Sequence, residues 1–107
     1  MKRISSRQAK AKAISPTVKF LVKQRDGGRC VCCGAPGLPE AHYIRRSKGG
    51  LGVPKNILTL CRVCHDKYDK GPRMEREGMR EVFRTYLQSI YPDWSEDALV
   101  YHKEGQK

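Results

Sequence analysis

The stretch GGRCVCCG, Gly27 to Gly34, places three of the chain's five cysteines within four residues. Cys30 and Cys33 are spaced C-x2-C, and LCRVCH, Leu60 to His65, repeats that spacing with Cys61 and Cys64. Each pair fits a tight turn that aims two thiolates at one ion. Two such turns complete the closed, tetrahedral four-cysteine shell of a structural zinc site. A disulfide framework fits poorly, because five cysteines leave one over. A redox C-x-x-C fits poorly too, because no βαβ pattern surrounds either pair. Cys32 is then the spare thiol, read as filler.

The rest of the composition points the same way. A chain of 107 residues is one small domain with little room for a hydrophobic core, so it needs a staple. The N-terminal run MKRISSRQAKAKAISP is basic and polar, without the apolar segment of a signal peptide, and no stretch approaches membrane-span length. The expected setting is a reducing cytoplasm without membrane contact, where disulfides rarely persist and zinc is the natural staple. In zinc-binding peptides such a metal contributes on the order of 10 kcal/mol to folding.

Twenty-two Lys and Arg against eleven Asp and Glu give a net charge of +11, and the excess is uneven. Residues 1–70 carry 16 basic and 4 acidic side chains, whereas residues 71–107 carry 6 and 7. A one-sided positive field of this size attracts polyanions, of which nucleic acid is the commonest. A merely basic, well-solvated surface is the competing explanation.

Residues 1–14 lack a sustained apolar period and read as a flexible basic arm. Ser15-Pro16 marks a helix start, Val18, Leu21 and Val22 form its apolar face, and Asp26-Gly27-Gly28 ends it. Short strands are expected at AHYI, residues 41–44, and at NILTL, residues 56–60, followed by a short helix from Arg62 to about Lys70. MEREGMREVFRTYLQSI reads as a longer helix, with Met79, Val82, Phe83, Tyr86, Leu87 and Ile90 at helical spacing on a core face. Pro92 breaks it, and Asp93 with Glu96 offers a capping pair for a last turn. Tyr91, Trp94 and Tyr101 read as packing residues, and His102 carries no assignment.

Between the cysteine pairs and just after them stand His42, in AHYIRRSKGG, Asn56, in NILTLCRVCH, and His65, directly after Cys64. Together with RDGGRCVCCG, these segments resemble the HNH (ββα-metal) endonucleases over roughly Phe20 to Lys70, including the spacing His42-x13-Asn56-x8-His65. The tail TYLQSIYPDW is similar, more weakly, to that of small phage and prophage members. The resemblance implies an α+β fold: a small zinc-stapled, treble-clef-like ββα-metal core at about 20–70, inside a nuclease domain of residues 15–107. A helical extension follows at about 72–101. It also implies DNA as partner, with a role in phage packaging plausible on resemblance alone.

The chemistry agrees with that implication. Phosphodiester hydrolysis needs an activated nucleophile and positive charge at the phosphate and leaving oxygen. His42 can take a proton from water, since imidazole titrates near neutrality. His65 and Asp69 stand four residues apart on a helix, one turn along the same face, where they can chelate one divalent cation. Mg²⁺ or Mn²⁺ suits that pair, and the nitrogen also accepts Ni²⁺ or Zn²⁺. In the family the middle Asn positions the loop bearing the base, which assigns that role to Asn56. Arg45, Arg46 and Lys48 follow the base in a Gly-rich loop and suit backbone phosphates. Each has a plainer alternative: a loop histidine at 42, a helix-capping His65, a surface carboxylate at 69, solvated charges at 45 and 46.

One departure from the family stands out. The residue before the general base is usually a metal-ligating Asp or His, and here it is Ala41. Either His65 and Asp69 hold the cation with water and phosphate oxygens, or another side chain such as Glu40 joins. Glu40 lies one residue along a strand and so faces the other way from position 41. The expected protein is a metal-dependent DNA endonuclease. The alternative is a non-catalytic, zinc-stabilised DNA-binding module that lost turnover with its ligand.

Overall fold

The computed structural model describes residues 6–102. A short helix α1 (Ser6–Lys12) leads into α2 (Pro16–Asp26). Strands β1 (Leu38–His42) and β2 (Ile57–Leu60) pair antiparallel, with Ala41 opposite Leu58 and His42 opposite Ile57. Helices α3 (Arg62–Lys70) and α4 (Arg73–Ile90) follow, and 3₁₀ turns lie at Arg46–Lys48, Pro54–Asn56 and, after α4, Glu96–Leu99. The result is a small α+β molecule with a ββα core and a helical extension. No helix among the described residues is long and apolar enough to cross a membrane.

The local signals explain most of these elements. Ser15 caps α2 by accepting the Val18 N–H at 3.2 Å, and Gly27 ends it with φ +68°, a conformation that glycine adopts without steric cost. Of the predicted apolar face, Val22 is fully buried and Val18 half-buried, while Leu21 is exposed. On α4, Met79, Phe83 and Leu87 are buried at spacings of four, as the stripe predicts, and Val82 is exposed. Phe83 meets the Tyr68 ring edge-on at 5.0 Å and Trp94 meets Tyr43 at 5.5 Å, so the extension packs on the ββα core through aromatic pairs.

Three expectations need correction. The first strand begins at Leu38 and stops at His42, short of Tyr43 and Ile44. The Ile44 N–H and C=O are both taken by the Asn56 side chain, which removes them from the ladder. Asp93 and Glu96 do not cap the last turn. Asp93 pairs with Lys55 at 3.0 Å, and Glu96 accepts the Tyr43 hydroxyl at 2.5 Å and pairs with Arg80. The basic arm of residues 1–14 is helical over Ser6–Lys12, where Ala, Lys and Gln are strong helix formers. Residues 1–5 lie outside the described residues.

The arm docks through its backbone. The Gly52 N–H donates to Ala11 O at 2.9 Å, and the Lys12 ammonium donates to Arg46 O at 3.1 Å. The approach requires glycine at 52, where a Cβ would lie 2.0 Å from Ala13 O.

A polar tie holds α2 to the sheet and to α4. Arg25 grips Asp26 with two hydrogen bonds, at 2.7 and 3.0 Å, and also donates to Pro54 O, Ile57 O and the Tyr91 hydroxyl. Asp26, its side chain fully buried, accepts as well from the Thr59 N–H at 3.0 Å and the Tyr86 hydroxyl at 2.5 Å. Burial alone would raise the Asp26 pKa, but the Arg25 guanidinium, Tyr86 and Thr59 outweigh it and hold the carboxyl below its ordinary value. Asp26→Asn leaves the guanidinium uncompensated and is expected to cost about 3–5 kcal/mol at pH 7. The depressed pKa means that the unfolded chain takes up the proton first as pH falls, so the carboxylate's contribution is present above pH 3.8 and lost below it. Urea denaturation of both proteins should therefore show a gap that narrows on acidification.

Candidate metal centre and active site

The two cysteine turns meet. Cys30 and Cys33 sit ahead of β1, Cys61 is the N-cap of α3 and Cys64 lies in its first turn. All four Sγ atoms lie within 4.8 Å of one another, and no cysteine is in a disulfide. Tetrahedral ligation with Zn–S bonds of ~2.3 Å sets sulfurs about 3.8 Å apart. The Cys33 and Cys61 sulfurs are 3.7 Å apart. In each turn a backbone N–H points at the first sulfur, from Cys33 to Cys30 and from Cys64 to Cys61, both at 3.4 Å. Burial and the neighbouring thiols push the Cys64 pKa well up. At Cys30 burial opposes ionisation, but backbone N–H groups from Cys61, Cys33 and Cys32 bring the thiol down to about 7. A divalent cation relieves the repulsion among four thiolates, so the donor set fits structural zinc. Cys32 is exposed and stands outside the cluster.

A second site lies across the sheet end from the cysteines. His42, at the end of β1, shares a cleft of about 620 Å³ with Arg45, Arg46, His65 and Asp69. His65 Nε2 and Asp69 Oδ2 are 3.5 Å apart, one turn apart on α3. Ligands at adjacent positions about an ion with bonds of ~2.1 Å lie about 3.0 Å apart, so a small side-chain movement lets both reach one cation. Lys48 is not in this cleft but lines its neighbour, and Arg45 lines both.

The Asn56 side chain is fully buried. Its amide accepts the Ile44 N–H at 2.8 Å and donates to Ile44 O at 3.2 Å and Leu51 O at 2.8 Å. It thereby pins both ends of the loop that carries Arg45, Arg46 and Lys48.

The His42 Nε2 lies 2.9 Å from Lys12 O. A carbonyl only accepts, so Nε2 carries the proton and the neutral ring keeps its lone pair on Nδ1. Burial lowers the His42 pKa below 6.5, with the Arg46 guanidinium acting in the same direction and outweighing the Lys12 carbonyl and Asp69, which raise it. Nothing in the sequence signals this backbone contact from an arm thirty residues away.

Ala41 is fully buried in the core, so position 41 faces away from the cleft. Glu40 does point the other way from Ala41, and that puts it beside His42, in the same cleft, 3.7 Å from the Lys19 ammonium. Strand alternation placed Glu40 and His42 on one face, a signal that reasoning from position 41 alone passed over. Among the described residues, the four cysteines are the only set of three or more potential ligands with donor atoms this close together.

A ββα core with a four-cysteine cluster able to hold a metal, an imidazole at the strand end and a second on the following helix defines the class. The family described as HNH endonuclease matches residues 30–71. Anaredoxin of Nostoc sp. (strain PCC 7120 / SAG 25.82 / UTEX 2576) is 36% identical over 52 residues, which cover 47% of this chain and 68% of that protein. The chain belongs to the HNH endonuclease family.

Two measurements probe these centres. Cys64→Ser should lose the bound metal and the cooperative unfolding transition, whereas Cys32→Ser should retain one zinc per chain by elemental analysis. Asn56→Ala strands three backbone groups at ~1–3 kcal/mol each. A loss of at least ~3 kcal/mol in urea is expected, with zinc content unchanged.

Proposed function

We propose that this protein is a metal-dependent endonuclease that hydrolyses DNA phosphodiesters. The observation that carries it is the cleft in which His42, His65, Asp69, Arg45 and Arg46 meet inside a domain of nuclease type. His42 is the general base. Its Nε2–H is held by Lys12 O, so the Nδ1 lone pair takes the proton from the attacking water, and burial keeps the ring neutral for that task. His65 and Asp69 would hold a divalent cation, Mg²⁺ or Mn²⁺. When bound, the cation supplies positive charge to the phosphate and the leaving oxygen. Arg45 and Arg46 bind the flanking phosphates, and Asn56 keeps their loop in place. The four cysteines would hold a structural zinc, and a set of cysteines kept out of disulfides suits a reducing cytoplasm.

A non-catalytic DNA-binding module competes on one observation. Ala41 offers no ligand, which leaves the cation two close side-chain donors rather than three. Supercoiled plasmid separates the two readings. With zinc-loaded protein and Mg²⁺ or Mn²⁺, cleavage is expected, and His42→Ala should lower its rate ~10²–10⁴-fold, the usual worth of a general base, without loss of DNA binding. Salt-sensitive binding without cleavage in any metal would decide for the binding module.

A further inference from the structure

Helix α4 lies beyond the residues matched to the family, which end at 71. By composition the C-terminal third of the chain is close to neutral. Its arginines are not scattered, however. Arg73, Arg76, Arg80 and Arg84 recur at spacings of three and four, and at ~100° per residue they fall within an arc of about 80°. The glutamates Glu75 and Glu81 fall outside that arc. The helix therefore carries a basic stripe beside its apolar face, which a charge count along the chain averages away.

The stripe faces a second cleft, of about 590 Å³. Arg73, Arg76 and Arg80 line one wall, and Arg45 and Lys48 of the Asn56-pinned loop line the other. Glu77 is the one carboxylate in the lining, and it pairs with Arg73. Arg80 is fixed over the Tyr43 ring, 5.1 Å from its centroid, and pairs with Glu96. Arg45, Lys48 and Arg76 have no carboxylate within ion-pair distance among the described residues. The Arg76 Nε is also buried without a hydrogen-bond partner among them. Five like charges around one cleft repel one another, and bound anions relieve that repulsion.

We propose that this cleft is a second phosphate-binding track, and that α4 carries the DNA backbone onward from the scissile bond. It rests on the reading of the His42 cleft as a DNA site. Three features support it. Arg45 lines both clefts, so the positive surface is continuous from one to the other. Arg73 and Arg80 are seven residues apart, or about 10 Å along the helix. That length is enough to reach neighbouring phosphates of one strand, whose charges recur every ~3.4 Å of axis. The guanidinium fork also suits phosphate oxygens better than a lysine ammonium does.

The test uses full-length, zinc-loaded His42→Ala protein, which binds without cutting, on a 20-base-pair duplex. Its affinity is read by fluorescence anisotropy across a KCl series. Adding Arg73→Gln and Arg76→Gln should weaken binding at least tenfold and make the log–log salt slope shallower by about two. The matched Arg73→Lys, Arg76→Lys protein should retain the slope, and zinc content with far-UV circular dichroism checks the fold of each. An unchanged slope and affinity in the glutamine variant, beside salt-dependent binding by its parent, overturns the track alone. No salt-dependent binding by the parent overturns both the track and the DNA reading beneath it.

Discussion

Cys30 and Cys33, ahead of the sheet, converge with Cys61 and Cys64 at the start of α3, and the sheet and α3 are joined at that convergence. The clip closes a loop of about thirty residues that contains both strands and the basic loop between them. Apolar contact alone would hold such a loop loosely, because hydrophobic attraction has no direction and the core is small. Metal–thiolate bonds have direction. With the metal bound they would fix the first turn of α3 against the turn before β1, and so fix the end of the sheet where Leu38 faces Leu60.

The candidate site inherits that rigidity. His42 ends a paired strand, and His65 is the residue after a cysteine of the cluster. Neither imidazole sits on a free loop. The arginines do, but Asn56 turns their loop into a braced one by serving as backbone partner at both ends. The Arg25–Asp26 tie holds the remaining side, linking α2 to Pro54, Ile57 and Thr59 around the start of β2. The candidate site is thus mounted on three anchors: a four-cysteine cluster, a buried amide and a buried ion pair.

Much of this was legible in the sequence, for definite reasons. The cysteine pairs announce themselves because chelation demands fixed spacing. The α4 core stripe is visible because a long helix repeats its pattern often enough to rise above noise. His42, Asn56, His65 and Asp69 were found as a constellation, and the fold brings the three ionisable ones into one cleft. What escaped was set by tertiary contact. The strand stops at His42 because a side chain twelve residues on captures the Ile44 backbone. Asp93 and Glu96 had good local capping spacing, but Lys55, Tyr43 and Arg80 claim them instead. The arm's helix has the right residues, yet no apolar period, because it docks through backbone groups rather than a greasy face.

That mode of docking divides the evolutionary constraint unevenly. The arm's grip on His42 and on the loop at Gly52 runs mostly through the carbonyls of Lys12 and Ala11, atoms that nearly every residue possesses. Of the contacts described, the Lys12 ammonium on Arg46 O is the one that depends on the identity of an arm side chain. The obligation falls on the partner, where Gly52 must stay bare for the two backbones to touch. A mutational history of this protein would record the arm's attachment chiefly in the loop it lands on, and in the arm at Lys12.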